Sequence, residues 1–160
     1  MGASFIHGKE QRFIVLSEKP YSNVPAQWMG LDGEEWRQRS MILRREHECA
    51  HYYTCRYYGL SRDHLHDELM ADFLGIYAAF GRYEARWFKH FMGVDETPAS
   101  PGGRLTLYTA GLSPKVKEAV GEAARLCADA LEAWSRSVAF KSLTERERIE
   151  WLCDVTGSFG

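Results

Sequence analysis

The most informative stretch of the sequence is Arg44-Arg45-Glu46-His47-Glu48-Cys49-Ala50-His51. It contains the pattern H-E-x-x-H within a segment of helical periodicity that runs from Glu34 to about Tyr58. Residues four apart lie one above the other on a helix, so the imidazoles of His47 and His51 can converge on one ion. Glu48 then lies beside that ion, where it can take a proton from a bound water molecule. The stretch therefore predicts a helix with a metal-binding face.

The next predicted helix supplies a candidate third ligand. It spans about residues 64–80, and within it Glu68 and Asp72 lie four residues apart. A short link between two helices favours antiparallel packing, which returns Glu68 to the histidine pair. Glu68 would complete a His₂Glu zinc site with one open position, and Asp72 can accept the outer N–H of a ligating histidine. His64 and His66 are rival third ligands, but only Glu68 has such a partner one turn along the helix.

These residues resemble the metal-binding motif of a known class of enzyme. His47-Glu48-x-x-His51 followed by Glu68-x-x-x-Asp72 is similar to the motif of the gluzincin branch of zincin metallopeptidases, the thermolysin-like group. The resemblance covers about a quarter of the chain. It implies that His47, His51 and Glu68 bind Zn²⁺. It also implies that Glu48 is the general base and that Asp72 orients a ligand histidine.

The resemblance implies hydrolysis of a peptide bond, in a peptide or protein substrate, by a zinc-bound water that Glu48 activates. Such enzymes also use a Tyr or His from outside the motif to stabilise the oxyanion. The candidates, among which no spacing selects, are Tyr57, Tyr83, His90 and Tyr108. The alternative is a non-catalytic, zinc-stabilised structural or protein-interaction module, in which Cys55, His64 or His66 closes the fourth position. A helical interaction protein without metal is a further alternative.

The rest of the sequence is typical of a mainly α protein. Further helices are predicted at about 115–140 and 144–155, and a short strand is predicted at 13–16. Glycines and prolines make residues 94–114 a loop, with a second short strand at 105–108. The expected fold is a single zincin-like helical domain over the whole chain, with a small N-terminal β element.

Composition restricts the partners and the location that we expect. The chain has 160 residues, a net charge of −2, and 26% charged residues of both signs, so neither nucleic acid nor an anionic membrane is an expected partner. No apolar run approaches the roughly 18 residues that cross a bilayer, and the N-terminus does not resemble a secretory signal. The four cysteines contain no C-x-x-C pair, which favours free thiols and a cytoplasmic location. The oligomeric state is left open.

Overall fold

The computed structural model describes residues 4–7, 12–58, 65–95 and 103–157 of the chain. Helices predominate, which confirms the predicted fold class. The elements in chain order are β1 (Ser4–His7), β2 (Arg12–Val15), a 3₁₀ turn (Tyr21–Asn23), α1 (Ala26–Met29), α2 (Gly33–Tyr58), α3 (Leu65–Phe80), α4 (Ala85–Met92), α5 (Leu105–Tyr108), α6 (Pro114–Arg136), α7 (Val138–Ser142) and α8 (Glu145–Gly157). Every helix within the described ranges is too short or too polar to cross a bilayer.

The N-terminal β element is a two-stranded antiparallel hairpin. The predicted strand at 13–16 is β2, displaced by one residue, and its partner β1 has no counterpart in the sequence prediction. In the register of the pair, Phe5 lies opposite Ile14 and His7 opposite Arg12. The hairpin is small, and the ligand-bearing helices follow it in the chain.

The predicted strand at residues 105–108 is wrong. This segment is the single-turn helix α5, in which the Thr106 amide donates to the carbonyl of Gly103 at 3.0 Å and the Thr109 amide donates to that of Leu105 at 3.1 Å. Leu105 points into the core. A four-residue run of this kind has no periodicity long enough to separate helix from strand, so burial of Leu105 decides its conformation.

The long helix predicted at 115–140 is two helices. Ser137 has an extended backbone, and its hydroxyl accepts a hydrogen bond from the Phe140 amide, so it ends α6 and caps α7. A capping box begins α8. Thr144 and Glu147 each accept a hydrogen bond from the other's amide, at 3.3 and 2.7 Å.

The helices α2 and α3 form the most extensive contact between elements and pack antiparallel. Residue numbers rise along α3 where they fall along α2. The contacts that show this are His51 with Asp67, His47 with Asp72, Leu43 with Gly75 and Arg39 with Ala79. A Cβ atom on Gly75 would lie 2.7 Å from the carbonyl oxygen of Leu43. The absence of a side chain on Gly75 therefore permits the close approach of the two helices, about one turn from His47.

A segment that we call the N-terminal strap, residues 17–24, is fastened along α2. Arg44 donates to two carbonyl groups near its start, and Ser40 accepts a hydrogen bond from the Tyr21 amide at 3.1 Å. The indole of Trp36 donates to the carbonyl at the end of the strap at 2.7 Å. These contacts hold Tyr21, which is buried, against the junction of α2 and α3.

Candidate metal centre

Three side chains converge between α2 and α3. They are His47, His51 and Glu68, which are 6%, 2% and 5% exposed. The Nε2 atoms of the two histidines lie 2.9 Å apart, and Glu68 oxygens lie 3.2 Å from Nε2 of His51 and 3.7 Å from Nε2 of His47. A tetrahedral ion with bonds of about 2.0–2.1 Å keeps its ligand atoms roughly 3.3 Å apart. The three separations bracket that value, so the cluster fits a metal ion.

Each histidine has a buried carboxylate on its other ring nitrogen. Nδ1 of His47 lies 2.8 Å from Oδ1 of Asp72, and Nδ1 of His51 lies 2.7 Å from Oδ2 of Asp67. A carboxylate accepts the Nδ1 proton and leaves the lone pair of a neutral imidazole on Nε2. Two Nε2 lone pairs that face each other at 2.9 Å repel unless a positive charge lies between them. The arrangement is that of two ligands oriented towards one cation.

A proton can occupy the centre in the absence of an ion. Burial lowers the pKa of His51, but hydrogen bonds to Asp67 and Glu68 outweigh this effect and raise it to about 9. His51 therefore carries a proton at neutral pH and can donate it from Nε2 to Nε2 of His47. A metal ion must displace this proton to bind.

Arg104, the residue before α5, lies against the carboxylates of α3. It donates to Oε2 of Glu68 at 2.5 Å and to Oδ2 of Asp72 at 3.1 Å. Burial raises the pKa of each of these two acids, but Arg104 and the histidines outweigh it and hold the pKa values below their usual range. Arg104 and the protonated His51 are positive charges beside Glu68 in the metal-free protein, and a bound cation would take the place of the His51 proton.

Tyr21 completes the surroundings of His47. Its hydroxyl donates to Oδ1 of Asp72 at 2.5 Å and lies 3.0 Å from Nδ1 of His47. Its ring packs edge-to-face on Phe91, with centroids 5.3 Å apart. Burial raises the pKa of Tyr21 well above its usual value, so the hydroxyl keeps its proton and acts as a donor.

Glu48, the predicted general base, follows His47 on α2 and is buried. It lies close enough to Arg44 for its negative charge to raise the pKa of that guanidinium, although burial of Arg44 has the larger and opposite effect.

Of the four candidates for the oxyanion donor, Tyr108 reaches the centre. Burial has the largest effect on its hydroxyl and raises the pKa, and the group lies near enough to Glu68 and Arg104 for the first to raise that pKa further and the second to lower it. The other three are placed differently: Tyr57 is exposed, Tyr83 packs on Phe73 in the core, and His90 stacks on Trp28 and contacts Asp95. Among the four, Tyr108 is therefore the one that lies beside Glu68.

The rival ligands are not part of the cluster as far as the structure describes them. Cys55 is exposed on α2, and His66 precedes Asp67 in α3 without joining the group of three. His64 lies outside the described residues.

The sequence reasoning missed Asp67, Tyr21 and Arg104. Asp67 had a signal. In an antiparallel pair with Asp72 opposite His47, the residue opposite His51 must lie about one turn before Asp72. Tyr21 and Arg104 come from segments without periodicity that relates them to the motif, so no pattern pointed to them.

The fold and the site define a mainly helical protein with a buried His-His-Glu cluster of metal-binding type. The chain belongs to the family of unknown function DUF7005, whose model matches residues 7–158. No curated protein and no solved structure matches the chain.

Proposed function

We propose that the protein is a zinc-dependent hydrolase of the metallopeptidase type, with its ion held by His47, His51 and Glu68. The observation that carries the proposal is the orientation of the two imidazoles. Their Nε2 atoms face each other at 2.9 Å, while a buried carboxylate occupies each Nδ1 side. Metal-ligating histidines almost always donate their other ring N–H to a fixed acceptor, often a carboxylate, and both histidines here have one.

Zinc is the ion that this donor set suits. Two imidazoles and one carboxylate are the protein ligands of a common catalytic zinc site, in which a fourth position stays open. Oxygen-preferring ions such as Mg²⁺ and Ca²⁺ take more carboxylate and carbonyl ligands than this cluster provides. Among the described residues, neither of the rival ligands fills the fourth position: Cys55 is exposed, and His66 is not part of the cluster. An open fourth position supports a hydrolase rather than a closed structural site.

Zinc bound in this position would lower the pKa of a water molecule towards 7 and polarise a carbonyl group of the substrate. Glu48 would accept the proton of that water and return it to the leaving amine. Tyr108 would donate a hydrogen bond to the oxygen that becomes negative. Burial and the charge of Glu68 raise the pKa of Tyr108, so its hydroxyl keeps its proton at physiological pH.

The test combines metal analysis with a peptide-cleavage assay. Protein purified without chelators should contain about one zinc per chain, and mass spectrometry of a mixed peptide library should show cleavage. Glu48→Gln should keep the zinc and lose at least about 100-fold in cleavage rate. Glu46→Gln, on the same helix and ion-paired with Arg45, is the matched control and should keep both.

Each negative result has its own meaning. Protein that binds no zinc refutes the metal site. Wild-type protein that binds zinc and cleaves no peptide in the library refutes the peptidase and supports the zinc-stabilised module instead. Cleavage that survives Glu48→Gln unchanged removes Glu48 from its role.

A further inference from the structure

The turn that carries Tyr21 has an unusual backbone. Ser22 and Asn23 have φ angles of 51° and 58°, in the left-handed region that non-glycine residues rarely adopt. Asn tolerates this conformation, whereas for Ser it is costly. Residues are held in such conformations when the surrounding structure enforces them, often at functional sites.

The surroundings of the strap explain how this turn is held. Ser40 fixes the Tyr21 amide, and Arg104 donates to the Tyr21 hydroxyl at 3.1 Å and to the Ser22 hydroxyl at 3.3 Å. The guanidinium groups of Arg44 and Arg104 both lie over the Tyr21 ring, 5.6 and 5.4 Å from its centroid. The result of these contacts is to place one polar atom, the Tyr21 hydroxyl oxygen, beside Asp72 and His47.

The hydroxyl is the nearest hydrogen-bond donor to the Asp72 oxygen that faces His47. A carboxylate can rotate about its Cβ–Cγ bond, and each oxygen then needs its own partner to fix it. Arg104 donates to Oδ2 at 3.1 Å and to Oδ1 at 3.3 Å. The Tyr21 hydroxyl donates to Oδ1 at the shorter distance of 2.5 Å, and this is the oxygen that lies 2.8 Å from Nδ1 of His47. With both oxygens fixed, Asp72 accepts the Nδ1 proton in one geometry and directs Nε2 of His47 towards the centre.

We propose that Tyr21 is a positioning residue for the metal ligand His47, and that it acts through the hydroxyl group that the N-terminal strap delivers to Asp72. The inference rests on the proposed zinc site. It assigns a role in metal binding to a residue that lies 26 positions before His47 in the chain.

The variant Tyr21→Phe tests the proposal. It keeps the ring that packs on Phe91 and removes only the hydroxyl. The dissociation constant for zinc, measured on folded protein by competition with a chelator, should rise about tenfold, the lower end of the effect of losing a partner of a metal-ligating residue. The matched control is Tyr83→Phe, because the buried Tyr83 hydroxyl has no hydrogen-bond partner within the described residues. This control should change the constant by less than about twofold.

Binding is measured separately from stability so that the two explanations can be told apart. A merely structural hydroxyl would lower the unfolding free energy of the metal-free protein and leave the zinc constant of the folded protein unchanged. The visible spectrum of the Co²⁺-substituted protein should also change in Tyr21→Phe and not in Tyr83→Phe, because it reports the geometry of the ligands. An unchanged zinc constant together with an unchanged Co²⁺ spectrum would overturn the proposal. Wild-type protein that binds no zinc would instead overturn the proposed function.

A second measurement applies if Tyr21→Phe does not fold. In wild-type protein, NMR should detect a slowly exchanging hydroxyl proton on Tyr21, because the group is buried and hydrogen-bonded to Asp72. Its chemical shift should move when zinc is added and stay fixed when magnesium is added. A Tyr21 hydroxyl proton whose shift does not respond to zinc would refute the positioning role.

Discussion

Zinc binding should release about one proton per ion at pH 7, and the affinity for zinc should therefore depend on pH. The pKa of His51 in the metal-free protein is about 9, because Asp67 and Glu68 stabilise its charged form more than burial destabilises it. A solution at pH 7 is about two pH units below that pKa, so the zinc ion has to displace a bound proton. This competition weakens the apparent zinc affinity about 100-fold, or about 2.7 kcal/mol. The apparent dissociation constant should therefore fall about tenfold per pH unit from about pH 6.5 and level off near pH 9.

Two measurements check this prediction. Calorimetric titration of zinc in two buffers with different enthalpies of ionisation gives the number of protons released. Competition with a chelator between pH 6 and pH 9 gives the slope. The variant His90→Gln is a suitable control, because His90 stacks on Trp28 away from the centre and should leave both results unchanged. Release of no protons at pH 7 and a flat affinity profile, after correction for the chelator, would refute the reasoning.

The same pKa values set the pH dependence of stability in the metal-free protein. A group whose pKa is higher in the folded than in the unfolded protein stabilises the folded state at low pH. The stability that His51 contributes is therefore complete below pH 6.5 and is lost as the pH rises through about 9. It is on the order of 3 kcal/mol. Glu68, whose pKa is lowered in the folded protein, stabilises the folded state above pH 4.5, and this stabilisation is lost as the pH falls. Urea unfolding of metal-free protein should thus show greater stability at pH 6 than at pH 9, with zinc reducing the difference.

Two substitutions test the outer contacts and the helix packing. Asp72→Asn should weaken zinc binding by about 10–100-fold, because the amide is a poorer acceptor for the Nδ1 proton of His47. The chelator competition described above measures this change. Gly75→Ala should lower the unfolding free energy by about 1–3 kcal/mol in urea, because its Cβ atom would lie 2.7 Å from the carbonyl oxygen of Leu43.

Each of these substitutions has its own check. Wild-type zinc affinity in Asp72→Asn would show that its contact with His47 does not support metal binding. For the glycine, Gly33→Ala is the matched control, because a Cβ atom there would meet nothing within 4 Å. A Gly75→Ala protein as stable as Gly33→Ala would show that α2 and α3 can separate without cost.

The sequence predicted the helical fold and the convergence of the three candidate ligands because both depend on local periodicity. The bounds of α2 and α3 agree with those predicted from the apolar pattern to within a residue or so. The spacing of four residues placed His47 with His51, and Glu68 with Asp72, on common helix faces. The short connection made antiparallel packing the expected arrangement, and the contact of Asp72 with His47 follows from it.

Two further residues of the site, Tyr21 and Arg104, come from outside the helix pair. Tyr21 belongs to a turn held by Ser40 and Arg104, and its hydroxyl contacts side chains that lie 26 and 51 residues further along the chain. Arg104 immediately precedes α5 and contacts α3 through its long side chain. Single residues in loops carry no periodicity, so their partners are set by tertiary packing alone. The same reason explains the mistaken strand at Leu105.

The order of the ligands along the chain has a consequence for biosynthesis. Residues 47 to 68 contain all three candidate ligands, so a nascent chain that has emerged from the ribosome as far as residue 80 already holds the complete donor set. Arg104 has not yet emerged at that point. An ion that binds at this stage would contact Glu68 without competition from the guanidinium of Arg104. An ion that binds after the chain is released would find Arg104 already paired with Glu68. The timing of metal uptake, during or after translation, would therefore determine which positive charge reaches Glu68 first.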